Sequence, residues 1–135
     1  MQKTTHATWC LTPILFCIFM AGCGSGNDLA SVQGKVTLNG RPLEGATVKF
    51  QPTAPEGSSS SGMTDADGRY ELMYTFSTSG AMPGEHIVSI GTAGTSADDE
   101  GCEVEREERV PAKYNTQTEL KRMVVPGSNT IDFEL

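Results

Sequence analysis

Residues 64–72, TDADGRYEL, set Asp65 and Asp67 two apart beside Gly68, the residue types that open a calcium loop. Such a loop holds its ion with oxygens at fixed positions, a glycine at the sixth and a bidentate glutamate at the twelfth. Counted from Asp65, the fifth position is Arg69, the sixth is Tyr70 and the twelfth is Phe76. The register fails three times. A tight turn between two strands accounts for the same letters. Asp at the first position accepts a hydrogen bond from the backbone two residues on, and Gly at the fourth takes the positive φ that closes the turn. The expectation is a bend.

Carboxylates gather again in SADDEGCEVEREER (96–109), which carries Asp98, Asp99, Glu100, Glu103, Glu105, Glu107 and Glu108. Seven acids near one another suit a divalent cation only if their spacing converges, and here no spacing repeats while Arg106 and Arg109 interrupt the run. A solvated, flexible excursion between strands is the expectation, and its length makes it the place for a partner contact. His86 is the only histidine after His6. It alternates in phase with Val88 and Ile90, which places it at the edge of a core rather than in a metal site.

The elements that would hold these residues begin after a leader. MQKTTHATWCLTPILFCIFMAGC has a lysine near its start, an apolar run from Trp9 to Met20, and small residues before Cys23. Twelve residues, mostly apolar, are too few to span a bilayer and fit the core of an export signal. Met20-Ala21-Gly22-Cys23 resembles a bacterial lipobox, in which cleavage precedes a lipid-modified cysteine. On that reading residues 1–22 are a lipoprotein signal peptide, Cys23 is the lipidation site, and residues 23–31 join it to the domain. Fatty chains contribute about 0.8 kcal/mol per buried methylene, so several together hold a protein on a membrane. GSGNDLAS (24–31), treated as a flexible coil, reaches about 15 Å, so the domain stays near its anchor. Gly24 stands where some bacteria carry the aspartate that retains lipoproteins at the inner membrane, which favours the outer one.

From Cys23 onward there are 9 basic against 17 acidic side chains. That balance repels nucleic acid and anionic lipid, and neither is expected as a direct partner of the folded domain. Cys10 and Cys17 leave with the leader and Cys23 carries lipid, so Cys102 is expected as a free thiol without an internal disulfide.

Period two dominates the remainder. VQGKVTL puts Val32, Gly34, Val36 and Leu38 on one face, and Asn39-Gly40 follows as a turn. ATVKFQ turns Ala46, Val48 and Phe50 inward, RYELMY turns Tyr70, Leu72 and Tyr74, and EHIVSI, TELKRMVV and TIDFEL add further strands. PTAPEGSSSS (52–61) and residues 92–117 read as loops, the second with at most one helical turn within 103–109. About seven short strands between turn residues predict an all-β antiparallel sandwich.

VQGKVTLNGRPLEGATVKF, TDADGRYEL and GAMPGEHIVSI are similar to successive motifs of carboxypeptidase regulatory-like domains, the transthyretin-like or prealbumin-type modules. The tail VPAKYNTQTELKRMVVPGSNTIDFEL is similar to small bacterial lipoproteins built from one such domain. The resemblance covers residues 32–135 and implies a Greek-key sandwich of about seven strands, with little implied about activity. It does not extend to the zinc carboxypeptidase, which needs a glutamate where Ser89 follows His86 by three. Nor does it extend to hydroxyisourate hydrolase, whose paired histidines and terminal Tyr-Arg-Gly-Ser are replaced here by one His86 and by Asp132-Phe133-Glu134-Leu135.

No catalytic residue, metal ligand or cofactor is therefore expected. Sugar binding favours exposed aromatic platforms, but Trp9 falls in the leader and Phe50, Tyr70, Tyr74 and Phe133 take inward places; Tyr114 is the exception among these and is expected to pin its loop to the sandwich. An isopeptide bond of the surface-pilin kind needs an inward lysine, and Lys35 and Lys49 alternate outward. The function expected is that of a non-catalytic, lipid-anchored structural or protein-interaction module at the bacterial cell envelope. The alternative is a module binding a carbohydrate or divalent cation through loops 52–63 and 93–109. The oligomeric state and the partner's identity are left open.

Overall fold

The computed structural model describes residues 28–135, so the leader, Cys23 and most of the joining segment lie outside the described residues. The chain runs through β1 (Ser31–Leu38), β2 (Arg41–Pro42), β3 (Thr47–Pro52), β4 (Ser60–Met63), β5 (Arg69–Glu71), β6 (Met73–Thr75) and β7 (Thr78–Ser79). It continues through β8 (Gly84–Gly91), β9 (Gly94–Ala97), β10 (Glu103–Arg106), a 3-10 turn at Ala112–Tyr114, β11 (Lys121–Val124), β12 (Ser128–Thr130) and β13 (Phe133–Glu134). One sheet has the order β11-β8-β3-β4-β6-β7. The other is built around β1, which pairs with β2, β5, β12 and β13. The chain passes from one sheet to the other after β2, β4, β5 and β11, so each sheet is assembled from distant segments.

Pleating sends alternate side chains to opposite faces, and the alternation in the sequence is met residue by residue. Val32 and Val36 from one sheet face Val48, Phe50, Val88 and Ile90 from the other, all fully buried. Lys35 and Lys49 point outward. Tyr114 packs its ring against the same core from the 3-10 turn, which pins residues 110–118 to the sandwich as expected. The all-β sandwich is thus confirmed, with one addition. β12 and β13 join β1 in parallel, while every other strand pair is antiparallel.

Three readings of the chain need correction. RYELMY is not one strand but two: Arg69–Glu71 pairs with β1 in one sheet, and Met73–Thr75 pairs with β4 in the other. Leu72 is the crossing point, fully buried, its N–H donating to the Val32 carbonyl at 2.9 Å. A strand that changes sheets makes a corner of the sandwich without leaving its period. Ser60–Met63, read as the end of a polar loop, is strand β4. Its small residues have low strand propensity, but β3 lies on one side of it and β6 on the other. Gly62 faces the Glu71 carbonyl so closely that a Cβ has no room. The third correction concerns residues 94–106, which form the antiparallel ribbon β9–β10 rather than a flexible excursion, and the helical turn falls at 112–114 instead of 103–109.

Candidate functional site

Asp65 opens a tight turn between β4 and β5. Its carboxylate accepts the N–H groups of Asp67 and Arg69, both at 2.9 Å, and its own carbonyl accepts the Gly68 N–H. Gly68 has φ +74° and its carbonyl accepts the Val36 N–H at 2.8 Å, tying the turn to β1. The carboxylate is occupied by backbone donors. Asp65→Ala is expected to destabilise the domain by about 1 kcal/mol, as loss of a comparable local side-chain bond does, with no calcium-dependent change in melting in either protein. A calcium shift in the wild type alone would restore the metal reading.

The acidic segment is organised in the same way. Asp98 Oδ1 accepts the N–H groups of Glu100 and Cys102 at 3.0 and 2.8 Å, which closes the β9–β10 turn. The two arginines that interrupt the acids fasten the ribbon down: Arg106 donates to the Gly45 carbonyl at 2.7 Å and Arg109 to the Glu44 carbonyl at 2.6 Å. Nε of Arg106 is buried without a partner. Thr92, Arg106, Glu107 and Arg109 line a recess of about 410 Å³ at the ribbon's base. Among the described residues no three His, Cys, Asp or Glu side chains gather as metal ligands would.

Glu108 holds that base together. Its carboxylate accepts the N–H groups of Thr92 and Val110, both at 2.9 Å, the Ala93 N–H at 3.4 Å and the Thr92 hydroxyl at 3.2 Å. Burial alone pushes its pKa up, but the donors of Thr92, Val110 and Ala93 outweigh that and hold it below the usual carboxylate range. A carboxyl depressed by folding contributes stability above its unfolded pKa and loses it as pH falls through the folded value. Acidification is therefore expected to lower the melting temperature of the wild type more steeply than that of Glu108→Gln. The two acid-melting curves converge at low pH if Glu108 is the group that titrates. Parallel curves would remove it from that role.

The sheet around β1 carries a second arrangement that the sequence did not reveal. Between β12 and β13 the Ile131 carbonyl turns inward and accepts the Tyr70 hydroxyl at 2.6 Å. The Lys35 N–H is met instead by Asp132 Oδ1 at 2.8 Å. Burial, then Asp132, push the Tyr70 pKa far up while Arg122 opposes them, so the phenol stays a protonated donor. Outside this knot Gln33, Lys35, Arg69, Thr130 and Asp132 line a groove of about 330 Å³. Lys35 and Arg69 are cross-strand neighbours. The groove is open, and Lys35 and Arg69 against Asp132 leave it cationic.

His86 lies fully buried, deeper than the core edge expected for it. Nε2 is 2.7 Å from the Met82 carbonyl, Nδ1 has no partner, and the ring sits 5.7 Å from that of Phe50. It serves as a core ring, and Arg122 is its cross-strand neighbour on β11. Cys102 is exposed and free. Cys23, the lipidation site expected from sequence, lies outside the described residues.

No protein-family profile matches the chain, and no curated protein matches it. Among solved structures it is similar to a variant of BcpA, the major pilin subunit of Bacillus cereus, with a TM-score of 0.44 and 10% identity over 79% of this chain and 29% of that one. A DUF3823 family protein from Parabacteroides merdae gives 0.42 and 13% over 78% and 44%, respectively. A 9R-lipoxygenase from Cyanothece gives 0.38 and 18% over 99% and 18%. The chain spans less than half the length of each. The class of the protein is set by its own two sheets: it is an all-β sandwich.

Proposed function

We propose that the chain is a non-catalytic, lipid-anchored sandwich of the carboxypeptidase regulatory-like kind, exported and held by Cys23 at the bacterial envelope as a structural or protein-interaction module. One observation carries the reading. Five side chains with chemical potential are taken up by the fold itself: Asp65 and Asp98 close turns, Glu108 ties the ribbon, Asp132 completes a strand and His86 fills the core. Such a domain is built to present a rigid surface.

Palmitate labelling in the native cell tests the anchor: label is expected on the wild type and absent from Cys23→Ser, which moves to the soluble fraction. Proximity labelling from the anchored chain then identifies its neighbours, with envelope proteins expected. Turnover of a peptide or ester panel that disappears in His86→Ala would overturn the non-catalytic part. Binding on a glycan array would favour the loops at 52–63 and 93–109 as a ligand site instead.

A further inference from the structure

Antiparallel pairing of β3 with β8 defines two ends of the sandwich. Pro52 and His86 lie toward one, Thr47 and Gly91 toward the other. The chain enters at the first of these. Ala30 is bridged to Ala81 by two backbone bonds of 2.8 and 2.9 Å, and the Ser31 N–H donates to the Gly127 carbonyl at 2.8 Å. The same end carries the tip of the β6–β7 hairpin, because β6 runs antiparallel to β4 and so leads away from the Thr47 end. At that tip Phe76 is fully exposed. The β11–β12 turn also lies there, since Val124 pairs with Gly84, and it exposes Val125.

Charge separates the two ends. Residues 72–84 and 123–131, which supply the hairpin, the entry bridge and the β11–β12 turn, contain no charged side chain. Asp28, Glu56, Glu71 and Glu85 are the acids nearer this end, with Lys121 and Arg122 beside Glu85 on the neighbouring strand. Glu44, Asp65, Asp67, the run from Asp98 to Glu108 and Glu134 belong to the opposite end. An exposed phenylalanine flanked by hydroxyl and small apolar residues suits the interfacial layer of a bilayer, where aromatic rings settle and carboxylates near anionic lipid do not. The chain length is compatible with the same placement. From Cys23 to Ala30 is seven residues, which span about 25 Å at most, so a lipidated Cys23 keeps this end within that distance of its membrane.

We propose that the Phe76 hairpin, with Val125 beside it, is a second membrane contact that inserts into the lipid surface holding the anchor and aims the acidic ribbon outward. The inference rests on the lipid anchor proposed above. It is tested with full-length protein expressed and processed in its native host, carrying Trp9→Phe together with Phe76→Trp, and returned to vesicles containing spin-labelled acyl chains. A parallel sample carries Val104→Trp on the acidic ribbon. Palmitate labelling is followed in both. The expected result is labelled protein in which the Phe76→Trp emission moves to shorter wavelength and is largely quenched, while Val104→Trp keeps a water-exposed, unquenched spectrum. Labelled protein with Phe76→Trp unquenched overturns the hairpin contact and leaves the anchor standing. A shift to shorter wavelength without quenching also overturns it, in favour of a second copy covering the tip. Equal quenching at both positions overturns the orientation. Unlabelled protein overturns the anchor and the inference together.

Discussion

Gly34→Ala is expected to lower the unfolding free energy by about 3 kcal/mol or more, and the melting temperature by roughly 12 °C or more for a domain of this size. The reason lies across β1 from the residue itself. Gly34 pairs with Tyr70 on one side and has the inward-turned Ile131 carbonyl on the other. A Cβ at position 34 would fall on that carbonyl oxygen, well inside the closest approach real atoms make. The obstacle is backbone, with no flexible side chain to swing away. Ile131 is held in place by its own N–H, which donates to the Gln33 carbonyl at 2.8 Å, and by the Tyr70 hydroxyl. Accommodating the methyl means withdrawing the carbonyl and stranding a buried phenol. Tyr70→Phe separates the parts: alone it costs about 1–3 kcal/mol for the orphaned carbonyl. Adding Gly34→Ala to Tyr70→Phe then costs less than adding it to the wild type, because one bond has already gone. A Gly34→Ala protein melting within a degree or two of the wild type would mean that Ile131 does not turn inward.

Phe50→Ala is the second large effect, about 3–5 kcal/mol from the lost transfer energy and the cavity left behind. Phe50 is fully buried on β3, with ring centroids 5.7 Å from His86 and 6.2 Å from Phe133. Phe133 belongs to the opposite sheet, so this contact joins the two layers. His86 then loses the ring it packs on, while its Nδ1 gains no partner. Phe50→Leu keeps apolar volume at the site and is expected to cost less than about 1.5 kcal/mol, a large-to-small contrast that a mere polarity effect would not produce. Urea unfolding checks both. The midpoints fall in that order with the slope unchanged, since the surface exposed on unfolding is nearly the same. Equal midpoints for the two variants would indicate that the ring does not bridge the sheets.

Much of the candidate chemistry was legible in advance. The failed calcium register at Arg69, Tyr70 and Phe76 pointed to a bend, and Asp65 makes that bend with the bond its type supplies. This could be read because a turn is decided within a few residues. The acidic segment reads as a flexible excursion but folds as a ribbon, for the opposite reason. Val104 is the only large apolar residue in β10, the two edges pair with each other, and the ribbon is fastened through Arg106 and Arg109 to carbonyls some sixty residues earlier. No local pattern encodes such a contact. His86 falls between these cases. Its inward phase was visible, but its complete burial depends on Phe50 and the Met82 carbonyl closing over it.

The sequence by itself determined which side chains face inward on each long strand and where the chain must bend. The pleat gives every strand the same period, and turns are settled by neighbours in the chain. Only the tertiary structure decided that Leu72 divides one apolar run between two sheets, that Ser60–Met63 becomes a strand, and that Gly34 must lack a side chain. It alone brings Ala30, Phe76 and Val125 to one end while Asp65, Asp67 and the run from Asp98 to Glu108 lie toward the other. Each of these outcomes depends on a partner distant in sequence, whose position is fixed only when the two sheets close on their common core.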